Sequence, residues 1–115
     1  MNIAFVRGRL SSAPRHSQLG SGDVLVRYEV TVARDDAAPD TVPVAWIGPD
    51  HRVPPPFEAG DEVVVAGRIR RRFWQAPDAT RSTTEVLASA VVAADDRRRA
   101  RALARRVAAD AESLP

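Results

Sequence analysis

Apolar and polar residues alternate along most of this chain, and the alternation breaks only where turn residues gather. In extended backbone successive side chains point to opposite faces. Val24, Val26, Tyr28, Val30 and Val32 therefore share one face of a strand over 24–34, with Leu25, Arg27, Glu29 and Thr31 on the other. Tyr28 is in phase with the valines and is expected in the core. Residues 2–10 read as an opening strand. Residues 41–47 read as a third, with Val42, Val44 and Trp46 alternating against Thr41, Pro43, Ala45 and Ile47. Pro43 has no N–H to give a ladder, so this strand should be an edge or irregular there. Strands over 61–74 and 82–92 complete the set. Residues 11–22 between the first two strands are polar and carry Pro14, Gly20 and Gly22, the chemistry of a loop. Residues 48–59 contain Pro49, Pro54, Pro55 and Pro56, which exclude a helix interior and leave at most a turn near 50–53. Two readings of that segment stand: a rigid cover anchored by Phe57, or a proline-rich ligand for a partner.

The fourth predicted strand carries the most chemistry. Val63, Val65, Gly67, Ile69 and Phe73 fall on one face, with Arg71 the only polar residue among them. Val64, Ala66, Arg68, Arg70, Arg72 and Trp74 fall on the other. The first face suits a core, so Phe73 is expected to serve stability. The second presents a row of guanidiniums ending in an indole. Alternate residues on one face lie roughly 6.5 Å apart, twice the rise per residue. That is close to the spacing of phosphates on an extended single strand, and the indole can stack a base. A solvated, arginine-rich hairpin fits the same pattern.

Residues 95–112 read as a helix, with Asp95 or Asp96 able to cap its start. Ala100, Leu103, Ala104, Val107, Ala111 and Leu114 recur at helical spacing, and Arg97, Arg98, Arg99, Arg101, Arg105 and Arg106 cover the remainder. Such a helix either packs lightly on the strands or a partner subunit, or serves as a basic arm for a nucleic-acid backbone. The chain thus divides into a β domain over 1–92 and a basic amphipathic helix within 93–115.

Four segments together resemble the bacterial single-stranded DNA-binding proteins. Met1-Asn2-Ile3-Ala4-Phe5-Val6-Arg7-Gly8-Arg9-Leu10 resembles the family's opening strand, and Ser21 through Ala33 its second. Gly60-Asp61-Glu62-Val63-Val64-Val65-Ala66-Gly67-Arg68-Ile69, with Arg70-Arg71-Arg72-Phe73-Trp74 after it, resembles the first strand of its last hairpin. Arg81-Ser82-Thr83-Thr84-Glu85-Val86 resembles the start of the next strand. The resemblance covers about residues 1–92 in the family's order. It implies an all-β, five-stranded oligonucleotide-binding barrel followed by a C-terminal helix. It also implies largely sequence-independent binding of single-stranded DNA in replication, recombination or repair. Trp74 lies on a matching stacking position, and Arg68, Arg70, Arg72, Arg81, Arg27 and Trp46 complete the expected nucleic-acid site. For Trp46, a one-residue register difference decides between ligand and core. In such barrels the loop between the first two strands flanks the binding face, which brings Arg15 and His16 near it. Assembly into a homotetramer or dimer is a further implication. The chain ends Ala-Glu-Ser-Leu-Pro, without the family's acidic tip, which puts recruitment of replication proteins in question. A barrel serving as an interaction or oligomerisation scaffold, with little DNA affinity, is the competing function.

Composition narrows the chemistry. The 17 basic residues are all arginine, which pairs with phosphate bidentately and stacks on bases. Residues 1–92 hold 11 of them against 11 acids, so only local clustering can supply a basic track there. There is no cysteine, and His16 and His51 alone do not make a zinc site. Gly20-Ser21-Gly22-Asp23 lacks the length and lysine of a phosphate-gripping loop. No nucleophile–base constellation is present, so neither an enzyme nor a cofactor is expected. No apolar run approaches a membrane span and no signal-peptide pattern opens the chain. The expectation is a cytoplasmic, nucleoid-associated protein that meets no membrane.

Overall fold

The computed structural model describes residues 1–114. Six strands run β1 Ala4–Leu10, β2 Arg15–Gln18, β3 Val24–Val32, β4 Asp40–Gly48, β5 Glu62–Gln75 and β6 Thr80–Ala93, followed by helix α1, Arg97–Glu112. A single 3-10 turn, Asp50–Arg52, is all the helix that the proline-rich segment permits. Five strands close a ring in the order β1-β5-β6-β4-β3, with β1 returning to β3 through Arg9↔Thr31 and Leu10↔Val30. All neighbours are antiparallel except β4 and β6, which pair in parallel over Val44–Trp46. This is the five-stranded barrel with a C-terminal helix that the resemblance implies.

The alternating faces sort as expected inside the ring. Val26, Val30, Val44, Val63, Val65 and Val86 are fully buried, and Tyr28 joins them, its phenol pKa pushed up by burial. Pro43 faces Glu29 on β3 but lies outside the short parallel pairing with β6, so β4 is an edge on that side, as a missing N–H demands. Val53 and Phe57 pack on the core from the proline segment, which acts as a cover.

Two glycines let backbones cross. A Cβ on Gly8 would lie 2.4 Å from the carbonyl oxygen of Thr31, where β1 swings from β5 to β3. One on Gly67 would lie 2.1 Å from the carbonyl oxygen of Leu87. Gly67 sits at a β-bulge: Ala66 faces Ala90 but Gly67 faces Ala88, leaving Ser89 the extra residue. Ser89 Oγ donates to the carbonyl of Ala66 at the bulge.

Three expectations are corrected. Residues 15–18, read as loop, form β2, an exposed strand that extends the β3 edge from Arg15↔Arg27 to Gln18↔Val24. Its residues are all polar, so no alternation betrays it. Phe73, expected in the core, is 65 % exposed, and Ile69 is 44 % exposed. The reason is that β1 leaves β5 at Gly67 and β4 touches β6 only at Val86–Ala88. Beyond Ile69 and Val86 the two long strands pair only with each other, and the side of this ribbon that carries Phe73 has no interior to fill. Arg71, on the same side as Phe73, accordingly donates to Ser82 and Thr84 across the ribbon rather than intruding on a core. The third correction concerns the helix stripe. Only Ala100, Leu103 and Val107 pack, on Val64, Ala66, Ala90 and Val92, whereas Ala104, Ala111 and Leu114 are exposed. Asp96 caps α1 by accepting from the Arg99 amide.

Candidate nucleic-acid interface

Residues on the outer side of β5 and β6 pair face to face as Arg70↔Glu85, Arg72↔Thr83 and Trp74↔Arg81. Across the parallel step, Ala45 of β4 faces Leu87 of β6 and Arg27 of β3. The outer face of four strands therefore carries Arg27, Ala45, Glu85, Arg70, Arg72 and Trp74 together. A groove of about 470 Å³ opens here, lined by Arg15, Arg27, Arg72, Trp74, Thr83 and Glu85, with Glu29, Thr41 and Pro43 also at its wall.

Glu85 organises this face. It is the buried charged side chain of the described residues, at 2 % exposure. Arg70 donates twice to its Oε2, through Nε at 3.0 Å and Nη2 at 2.9 Å, both charge-assisted. Arg72 Nε donates to Oε1 at 3.1 Å, and Arg27 Nη1 reaches the same oxygen at 3.5 Å. Burial alone pushes the Glu85 carboxyl up. The hydrogen bonds from Arg70 and Arg72, with the charges of Arg70 and Arg27, outweigh it and hold its pKa below the usual carboxylate value. Glu85 is thus ionised at neutral pH. Three guanidiniums against one carboxylate leave a net of two positive charges, each guanidinium side chain still about a quarter to a third exposed.

Arg72 does a second thing. Its guanidinium carbon lies 4.6 Å from the centre of the Trp74 ring, within cation–π range. One carboxylate and one indole thus fix Arg72 from two directions. Trp74 is 38 % exposed, which leaves ring surface for another planar group. Arg81 sits opposite Trp74 near the ribbon tip and pairs with Asp78 at 2.8 Å, both well exposed, a contact that holds little in water.

The expected site residues do not all converge. Arg27, Arg70, Arg72 and Trp74 do, and Arg81 adjoins them. Arg68 does not: it lies about 20 Å along the strand from Trp74, at roughly 3.4 Å per residue, in a separate cavity beside α1 with Arg106 and Asp110. Trp46 faces the core, at 6 % exposure, because β4 pairs it with Val26, a core residue of β3, and paired residues point the same way. Of the two residues expected beside the face from the segment after β1, Arg15 reaches the groove because β2 pairs it with Arg27, and His16 does not line it. Glu85 stands out in the sequence only as the acid in Thr83-Thr84-Glu85-Val86, and its role depends on a register that alternation does not give.

No protein-family model matches the chain, and no curated protein sequence matches it.

Proposed function

We propose that this outer face binds single-stranded nucleic acid, single-stranded DNA in the first place, with little regard to sequence. The observation that carries the reading is the arrangement of Arg27, Arg70 and Arg72 around Glu85 with Trp74 stacked on Arg72. A guanidinium held on one side by a carboxylate keeps donors free for a phosphate, and an indole with open ring surface takes a base of any identity. The resemblance of the strand sequences to single-stranded DNA-binding proteins points the same way, as does a barrel whose outer face carries the groove. Replication, recombination or repair is the corresponding setting, and assembly into a dimer or tetramer belongs to the same reading.

The charges set the expected strength. With two to three phosphates neutralised, log K should fall with log salt at a slope of about −1.4 to −2, at roughly 0.7 per phosphate on a single strand. One stacking platform contributes about 1 to 3 kcal/mol. Titrating oligo-dT into the protein at two salt concentrations, with tryptophan quenching as the signal, tests this. Quenching with that slope is expected; no binding at micromolar protein in low salt would overturn the reading.

A second reading has its own observation. Phe73 and Ile69 stand exposed on one side of the ribbon, flanking Arg71 and opposite Arg70 and Arg72. Such residues suit a contact between barrels, with the protein acting as an interaction scaffold. Oligo-dT binding at micromolar protein with the salt slope given above would remove this alternative.

A further inference from the structure

Helix α1 carries a charge pattern that its own stability does not explain. Arg97, Arg98 and Arg99 occupy its first turn, where the helix dipole already places positive charge and acids are favoured. Arg97 and Arg101, and Arg101 and Arg105, are like charges four residues apart on the helix surface, again unfavourable. None of the six helix arginines lies within ion-pair distance of a carboxylate among the described residues. Of the eleven arginines before the helix, six do, Arg7, Arg27, Arg34, Arg70, Arg72 and Arg81.

The packing fixes which way these charges point. Ala100, Leu103 and Val107 are seated on the outer face of β5 and β6. At 100° per residue, Arg98, Arg101 and Arg105 fall on the opposite side of the helix, and all are exposed. Arg106 lies on the flank, where it and Arg68 line one cavity of about 360 Å³ between α1 and β5, with Asp110 the single acid there. Arg68 precedes Arg70 and Arg72 on the same strand face, so this seam adjoins the groove.

We propose that α1 is a second surface for the phosphate backbone. A strand leaving the groove would pass Arg68 and Arg106 at the seam and run onto the ridge of Arg98, Arg101 and Arg105. The proposal takes its ligand, a single-stranded nucleic acid, from the reading of the groove, but its surface is separate. An anionic bilayer is the less suitable partner. A membrane-surface helix needs its apolar face free to enter the headgroup region, and this one is committed to the barrel.

The test uses the full chain with Arg98→Gln, Arg101→Gln and Arg105→Gln combined, which keeps helix-forming residues on an exposed face. Binding is measured to oligo-dT of about 6 nucleotides, enough for a groove of this kind, and of about 30. The parent should bind the longer strand more tightly per molecule and with the steeper salt slope. The triple variant should lose tenfold or more on the long strand at low salt, with a slope shallower by about two, at roughly 0.7 per phosphate. Its affinity for the short strand should stay within about twofold. Equal losses on both lengths, or no loss on the long one, would overturn the proposal, as would binding of anionic phospholipid vesicles by the parent that the triple variant alone abolishes. Circular dichroism of the variant confirms that α1 is retained. The same substitutions in a Trp74→Ala background separate the two surfaces. If the groove reading fails but the helix reading holds, Trp74→Ala changes nothing while the triple variant still flattens the slope.

Discussion

Replacing Glu85 by glutamine should move stability and nucleic-acid affinity in opposite directions. The substitution keeps the shape of the side chain and removes the one carboxylate that faces Arg27, Arg70 and Arg72. Removing one partner from a buried ion pair costs about 3 to 5 kcal/mol, because the remaining charge is left uncompensated. Here the stranded charges are guanidiniums 26 to 33 % exposed, which water partly serves, so the cost should be smaller, about 1 to 3 kcal/mol. In a domain of this size that lowers Tm by several degrees or more. The amide oxygen can still accept one hydrogen bond, so the fold should survive. Affinity should change the other way. The cluster rises from two net positive charges to three, and the salt slope for oligo-dT should steepen by about 0.7. Thermal melting and an anisotropy titration at two salt concentrations read both quantities on one preparation. Parent-like stability would refute the ion cluster. Weaker binding with an unchanged slope would refute the charge reasoning and make Glu85 a residue that positions the guanidiniums for their ligand.

Trp74→Ala should weaken oligo-dT binding by about 1 to 3 kcal/mol with little change in salt slope, because a stacking surface and not a charge is lost; parent-like affinity in a folded variant would end the stacking assignment. Among the other aromatics, Phe73→Ala should leave the melting temperature nearly unmoved, since the ring is mostly in water, whereas Trp46→Ala should cost about 3 to 5 kcal/mol. Urea melts of the pair check this, and a reversed order would mean that the ribbon packs against something. Acid should destabilise the barrel through Glu85: its folded pKa is lowered, so its contribution is present above the unfolded value of about 4.3 and is lost as pH falls through the folded value. Stability measured from pH 7 down to pH 2 should fall less steeply in Glu85→Gln, and identical acid profiles would contradict the assignment. Deleting residues 95–115 should leave a folded barrel, because the main core holds no residue of α1, though exposing Val64 and Ala66 should lower its melting temperature; an unfolded product by circular dichroism would show that the Leu103 cluster belongs to the core.

Much of the barrel was legible in the sequence because period-two alternation reports on burial, and burial is what a closed ring imposes. The faces of β3 and β4 and the core place of Tyr28 followed from that pattern; proline chemistry excluded a helix over residues 48–59, and the packing of Val53 and Phe57 decides for a cover. The pattern misleads where burial stops. Ile69 and Phe73 keep the core phase of Val63 and Val65, yet β1 has already left the strand, and nothing in the local sequence marks that departure. β2 escaped for the converse reason: an exposed strand of polar residues has no alternation to show. The candidate site was legible as residue types and not as pairings. Arg70 and Arg72 were visible as a row, but their common attachment to Glu85 depends on the β5–β6 register and on a bulge at Ser89. Trp46 turned on one residue of register, which its pairing with Val26 settles.

The two tryptophans offer the most direct test of the groove. Each indole N–H gives its own resonance in a proton–nitrogen correlation spectrum, and substituting one tryptophan assigns both. Trp74 stands at the groove and Trp46 in the core. On adding oligo-dT in low salt, the Trp74 resonance should shift progressively to saturation while that of Trp46 stays in place. Movement of Trp46 alone, or of neither indole at saturating oligonucleotide, would contradict binding at this face.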